Sequence, residues 1–546
     1  MRRDDHLLGA DAEQAVEAQA LPDDGAPPEG ESPPEGESPP EGESPPEGES
    51  PPDAGARRDT GAQRRAELPA DSRVRADRVP WLIALAVFAA YLPISLFRYL
   101  RLDPTSWDLG IFTEYVKQYA GLHAPIADIR GAGFNLLGDH FHPIVALIAP
   151  FFRIFPTPVT LLVAQALLAA VSVVPVSRAA ADKLGTGAGR AIGAAYGFSW
   201  GLQQMVNYDF HEIAFAVPLL ACSLSALVRG RMRAAVWWAL PLVFVKEDQG
   251  FTLAAIGLLM VIVYKRPRAG MFLAIWGLAW SFLAIIVIIP HFSPTGHYLY
   301  WADGGTVSPV GGHFSVSGVI SQLATGWATK VPTLALILLP TAFLALRSPL
   351  VLAALPSLAL RFVGTNSSYW GTAWHYNATV MPIVFIAAID GIARIRAASA
   401  DRAAVGPKRP AALLARNGAP LMLGIAAALA FQFPLSQLWT PQTYSIDQHV
   451  AAARAAMARV PDGATVATDL DLLAPLAART DTFWLGNFAT NPPTQYIVFD
   501  TASTDWQPPP SNVLSFVENL NHGVRYRQIY SSDGVYVFIR SGAPAG

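Results

Sequence analysis

From Trp81 onward the chain alternates long apolar runs with short polar ones. A helix needs about 20 apolar residues to cross the ~30 Å of hydrocarbon in a bilayer. Runs at 81–97, 157–177, 190–206, 212–228, 270–290, 331–346, 349–361, 377–393 and 418–435 reach or approach that length. The stretch 234–264 reads differently. It has Arg233 and Lys265 at its ends and Lys246-Glu247-Asp248 at its centre. A single tilted helix would place three charges at mid-bilayer, at ~2.5–3.5 kcal/mol each. Two short helices with the charged triplet at an outer tip avoid that cost. Counting this hairpin, the pattern predicts a polytopic α-helical membrane protein with about eleven crossings.

Both ends break the pattern. Residues 1–79 are polar and carry four tandem copies of Pro-Pro-Glu-Gly-Glu-Ser at 27–50. Such a composition cannot bury a core and predicts a disordered, extended, self-repelling tail. No cleavable signal sequence is expected, because the run from Trp81 is long and lacks a small-residue cleavage site close behind it. Residues 440–546 predict a soluble α/β domain. Helices are expected over 446–459 and 512–521, and strands over 464–468, 495–500, 526–530 and 535–540. Ser-Ser-Asp-Gly at 531–534 is a hairpin turn signal. The chain thus divides into a tail (1–79), a membrane domain (80–439) and a C-terminal domain (440–546).

Charge orients this arrangement. Arg57 to Arg78, Arg178 to Arg190, Arg229 to Arg233, Lys265 to Arg268 and Arg394 to Arg416 form basic clusters between apolar runs. Basic loops stay cytoplasmic. The N-terminus is then inside and the C-terminal domain outside a cell membrane. The composition, 52% hydrophobic and 15% charged, suits a membrane protein, whereas a soluble chain carries about 25% charged residues. The net charge of −3 carries little information, because the charges are segregated along the chain. One cysteine, Cys222, excludes an internal disulfide. Nothing in the pattern suggests nucleic-acid binding.

With this topology the polar clusters gather on the outer face. They comprise Asp108 and Glu114; Asp139, His140 and His142; Asp209, His211 and Glu212; Lys246, Glu247 and Asp248; and the aromatic loops holding Trp301, Asp303, His313, Trp370, Trp374 and His375. Acid–histidine groupings serve general base catalysis or metal binding. No zinc-ligand spacing is present, and a divalent cation on oxygen ligands stays open as a cofactor.

The motifs Trp107-Asp108-Leu109-Gly110, Asp139-His140-Phe141-His142-Pro143, Gln165, Asp209-Phe210-His211-Glu212 and Lys246-Glu247-Asp248 resemble those of a family of predicted bacterial membrane proteins of unknown function, grouped with the GT-C glycosyltransferases. The resemblance covers roughly residues 80–540. It implies a GT-C-like fold and transfer of a sugar from a polyprenyl-phosphate donor to an acceptor at the outer face of the bacterial plasma membrane. In GT-C enzymes an acid in the first outer loop is catalytic, and Asp108 holds that place. His140, Asp209 and His211 complete the expected catalytic set. Glu114, His142, Glu212, Lys246, Glu247, Asp248, Trp374 and His375 form the expected substrate-binding set. Lys246 or a neighbouring histidine would balance charge on the leaving phosphate, and Trp301, Trp370 and Trp374 would stack on sugars.

Two other classes compete: a transporter or flippase, and a non-catalytic membrane assembly protein. A transporter predicts internal repeats with broken helices near the midplane. This chain instead has no evident repeat and polar groups at one face. The topology is testable by reporter fusions at Gly230 and after Ala543. The first should report cytoplasmic and the second external, and finding both on one side would defeat the arrangement.

Overall fold

The computed structural model describes residues 77–103, 106–301, 316–400, 410–521 and 523–542. The tail repeats, the basic stretch up to Arg75, and Asp303, His313, Arg402, Lys408 and Arg409 lie outside the described residues.

The protein is a multi-pass helical membrane protein with a small sheet near its C-terminus. Helix α1, Val79–Leu100, is long and apolar enough to cross a membrane, as are Val159–Leu184 and Pro267–Phe292. A fourth crossing forms if Ser317–Ala324 and Trp327–Thr341, bent by 74°, act as one span. Other apolar stretches are shorter, including Glu212–Val228, Met232–Phe244, Gln249–Ile262 and Pro349–Val363. Continuous helices of crossing length are therefore fewer than the about eleven crossings expected. The interruptions have local causes. The 190–206 run splits into Thr186–Gly197 and Trp200–Asn207 because Ser199 is extended. Pro340 breaks the 331–346 run with a 3₁₀ turn at Leu339–Thr341, and Pro349 opens a 3₁₀ turn where the next run begins.

After α1 comes helix α2, Trp107–Ala120, which lies against the C-terminal domain. The stretch 232–264 does form two short helical pieces joined at 245–248, the second being α3, Gln249–Ile262. Helix α4, Pro267–Leu283, packs directly on α3. The two backbones approach through paired glycines. A Cβ on Gly250 would lie 2.2 Å from the Gly277 oxygen, and one on Gly257 would lie 2.5 Å from the Gly270 oxygen. Without hydrophobic drive between apolar helices in lipid, such small-residue contacts carry the packing.

The C-terminal sheet has five strands: β1 Thr465–Thr468, β2 Asp481–Trp484, β3 Tyr496–Asp500, β4 Tyr526–Ser532 and β5 Val535–Arg540. Their order is β2-β1-β3-β5-β4, with β1 parallel to β2 and β3, and β5 antiparallel to β3 and β4. Strand β2 carries no clear sequence signal, since Asp-Thr-Phe-Trp is only four residues long. At the β4–β5 turn Asp533 and Gly534 both have positive φ, +47° and +79°, the requirement of a type I′ turn.

This domain sits firmly on the membrane part. Leu473, Ala474 and Ala477 of the short helix α5, Leu473–Ala477, join the main apolar core, as does Trp484. The Lys117 ammonium donates to the Thr480 carbonyl at 2.6 Å. Glu114, 2% exposed, accepts from the backbone N–H of Ile129 at 3.1 Å and of Thr482 at 3.3 Å. Glu114, expected to bind substrate, joins α2 to its following loop and to β2. The reason is its position on the face of α2 that the C-terminal domain covers.

Burial pushes the Glu114 carboxyl up to about 8, against the pull of Lys117 and its backbone donors. A carboxyl raised in the folded state binds its proton more tightly there than in the unfolded chain. Its contribution is complete below the ordinary value of 4.5 and is lost as pH rises through about 8. The melting temperature should therefore fall between pH 6 and pH 9, and Glu114→Gln should flatten that slope. An unchanged slope in the variant would show that Glu114 does not couple docking to pH.

Candidate active site

One set of helix ends carries a belt of buried polar groups, built in steps from α1 to the 375 loop. Its first part lies beside the N-terminus of α2. Ser106 precedes this helix without capping it. Its hydroxyl donates to the Leu470 carbonyl and accepts from the Ala474 N–H at 3.4 Å. Asp108 stands in the first turn, half-buried, where the helix dipole favours its charge. Burial and the nearby Asp108 carboxylate push the Tyr208 phenol up. The next residue, Leu109, donates its N–H to Asp209 Oδ2 at 3.2 Å. Asp209 is 5% exposed. Burial raises it to about 7, Arg98 pulls it down, and the carboxylates of Asp108 and Asp471 push it up. A small cleft of about 20 Å³ opens here, bounded by Arg98, Tyr208, Asp209 and Asp471 among others.

Gln165 fixes the next segment. Its amide nitrogen donates to the carbonyls of Met205 at 3.0 Å and Asp209 at 3.2 Å, and its oxygen accepts from the His211 N–H at 3.0 Å. A buried amide satisfied on both sides locks the short extended stretch 209–211. Glu212, with no exposure, then meets Lys246 Nζ at 3.1 Å and His211 Nδ1 at 2.6 Å. The His211 ring stacks on that of His375 at 3.6 Å. The hairpin tip is thus adjacent to His211. The partner of Lys246 is Glu212, however, while Asp209 turns toward Leu109 and Arg98.

A further group follows on the same belt. Glu247, 1% exposed, accepts from the Tyr298 hydroxyl at 2.8 Å and the Phe141 N–H at 3.0 Å, and pairs with His140 Nδ1 at 2.7 Å. His140 stacks on Tyr300, whose hydroxyl donates to Asp139 at 3.1 Å beside Arg130 at 3.2 Å. Asp248 is half-buried and accepts from the Gln249 amide at 3.1 Å.

The expected substrate-binding residues therefore divide. His142 is 2% exposed and packs on Tyr115 and Phe112, and burial lowers it to about 4, so a neutral imidazole forms part of the wall. Glu212, Glu247 and His375 are likewise buried within the belt. Trp370 is 8% exposed, with the Lys330 ammonium 4.1 Å over its ring and its Nε1 donating to the Gly364 carbonyl, so it offers no open face to a sugar. Trp374 is half-buried, has a φ of +65° and sets its ring edge-on to Tyr208 at 4.6 Å. The side chain of Trp301 lies outside the described residues. Among the described residues no three His, Cys, Asp or Glu converge as a metal-ligand set.

Sequence reasoning passed over Arg98, Asp471 and Arg361. Arg98 looks like an ordinary basic residue closing α1. Asp471 lies just beyond the carboxyl end of β1, a position where parallel sheets place ligands. Arg361 organises the 369–377 loop through the carbonyls of Tyr369, Gly371 and Tyr376 and the Asn377 side chain.

Removing one partner of a buried ion pair leaves the other charge stranded, at about 3–5 kcal/mol. Lys246→Met should therefore lower the melting temperature sharply, and Glu212→Gln added to it should recover most of the loss. A single variant that melts like the wild type would mean the pair does not hold the hairpin tip.

Comparison with known proteins places this geometry. No curated protein matches the chain. Among solved structures, ArnT from Cupriavidus metallidurans bound to undecaprenyl phosphate superposes with a TM-score of 0.50 at 14% identity, over 85% of this chain and 99% of that one. The oligosaccharyltransferase of Archaeoglobus fulgidus in complex with Zn and sulfate gives 0.39 at 12% identity, over 83% of this chain and 73% of that one. At these identities the first likeness establishes a fold of GT-C type and nothing finer, and the second is too distant to add to it. The sequence profile of the predicted membrane proteins DUF2079 matches residues 98–537. That span is most of the chain, and the protein belongs to the DUF2079 family of predicted membrane proteins.

Proposed function

We propose that this protein is a membrane glycosyltransferase of GT-C type that uses a polyprenyl-phosphate sugar. The observation that carries this reading is Asp108, a half-buried carboxylate in the first turn of α2 between Ser106 and Leu109, which line a small cleft at the end of α1. The fold likeness to ArnT, whose structure holds undecaprenyl phosphate, supports the donor class. The orientation with this cleft outside the plasma membrane belongs to the same proposal and rests on the basic loops.

In the reaction Asp108 takes the proton from an acceptor hydroxyl. The hydroxyl oxygen forms a bond to the anomeric carbon as the bond from that carbon to the phosphate oxygen breaks. The electron pair leaves on the polyprenyl phosphate, and the proton stays on Asp108. One displacement inverts the anomeric configuration. Lys246 supplies positive charge toward the departing phosphate. The lipid tail remains among the apolar helices.

Asp108→Asn keeps the shape and loses the base. In proteoliposomes supplied with a range of polyprenyl-phosphate sugars and glycan acceptors, transfer should fall about 10²–10⁴-fold. Accumulation and melting temperature should hold, as for a partly exposed carboxylate within about 0.5 kcal/mol. Near-normal transfer by the variant would remove Asp108 as the base. Failure of the variant to accumulate would make Asp108 structural.

A further inference from the structure

Between the His140–His142 segment and the span Val159–Leu184 runs the helix Pro143–Ile154, a 3₁₀ turn continued as α-helix. Its only charge is Arg153, in the last turn. Val145, Ile148, Ala149 and Phe152, spaced as one helical stripe, are buried, and the helix packs on α2. Leu147, Phe151 and Ile154 form the opposite stripe, with Phe155 just beyond it, and all four are exposed. The helix is thus apolar on both faces, and facing water it would present a contiguous apolar stripe of a kind that soluble surfaces avoid.

The two ends show which way it runs. Ahead of it, the Phe141 N–H donates to Glu247 at 3.0 Å, and the His142 ring packs on Phe112, which also touches Phe210 and His211. Behind it, the Phe155 carbonyl accepts from the Thr157 N–H at 2.8 Å and from the Thr160 hydroxyl at 2.6 Å. Thr160 stands in the first turn of the following span. Just beyond, Leu162 borders the small cleft with Arg98 and Asp209, and Gln165 holds the 209–211 stretch. Both ends therefore stand at the level of the polar belt. The helix reaches about 20 Å, short of the ~30 Å of hydrocarbon. With its ends at one level it runs along the membrane plane and not through it.

The exposed stripe also continues a lipid-facing surface. A tight turn joins the helix to a span long and apolar enough to cross a membrane, and Leu167, about two turns down that span, is exposed in the same way. We propose that Pro143–Ile154 is an in-plane helix that binds the lipid of the leaflet on the side of the belt. Leu147, Phe151, Ile154 and Phe155 sit at the acyl boundary, and the Arg153 guanidinium reaches the phospholipid phosphates. Lipid then supports α2 on one side as the C-terminal domain does on the other. The assignment does not depend on the reaction given to Asp108.

The test uses the full chain in phospholipid nanodiscs. In a Cys222→Ala background, Leu147→Cys, Phe151→Cys and Ile154→Cys each carry a nitroxide, and power saturation compares oxygen with a water-soluble nickel chelate. All three labels should favour oxygen and lie at similar depths, about 5–10 Å below the phosphates. Asp462→Cys, exposed in the C-terminal domain, should favour nickel, and Leu167→Cys should lie deeper. A preference for nickel at Leu147 and Phe151 would mean a water-facing helix and overturn the proposal. A depth difference near 10 Å between Leu147 and Ile154, about the rise of seven helical residues, would mean a helix dipping into the bilayer and overturn it equally. If the cysteine variants do not accumulate, p-benzoylphenylalanine in place of Phe151 replaces them. Irradiation should then add the mass of a phospholipid at that residue, as it should for the same probe in place of Leu167. Adducts at Leu167 alone would refute the proposal.

Discussion

A carboxylate cut off from water has to be neutralised where it stands, and Glu212 is such a group. Its neighbours, Lys246 from the hairpin tip and His211 from its own loop, come from segments that sequence separates by more than thirty residues. The pairing ties the tip of a broken helical hairpin to the loop that also bears Asp209. His375 stacks on His211 from a third segment. Three turns and loops at the helix ends are in this way drawn around one buried charge, and the geometry of the candidate site follows from it.

The helix α2 extends that organisation sideways. Its N-terminal turn holds Asp108, its middle packs Phe112 against His142, Phe210 and His211, and Glu114 and Lys117 on its outer side bind the C-terminal domain. A single helix thus reads the polar belt on one face and the soluble sheet on the other.

The polar belt is also a reason for the broken helices. Loops at 139–142, 208–212 and 245–248 interrupt apolar stretches where a continuous helix would have carried these side chains around its circumference. An interruption lets several ionisable groups point inward to one another. In lipid, backbone released in this way is tolerated only where protein or water satisfies it. Gln165 provides that for 209–211, and Glu247 for the Phe141 N–H.

The membrane class, the charged tip at Lys246-Glu247-Asp248, the small C-terminal sheet and the family were all legible in the sequence. Each depends on local pattern: apolar run length, charges unable to sit at mid-bilayer, strand alternation and a turn at Asp533-Gly534. Asp108 was singled out by its motif and position alone, and its half-buried place beside the cleft was not. The layout of the chain points to Asp209 as the acid beside Lys246, whereas Glu212, one turn further along, takes that place. The sequence could not show that Glu114 faces the sheet, nor that Asp471 faces Asp209, because those contacts join segments more than 250 residues apart. Such facts are decided when side chains from distant segments compete for the same buried space, and only the tertiary structure records which of them reached it.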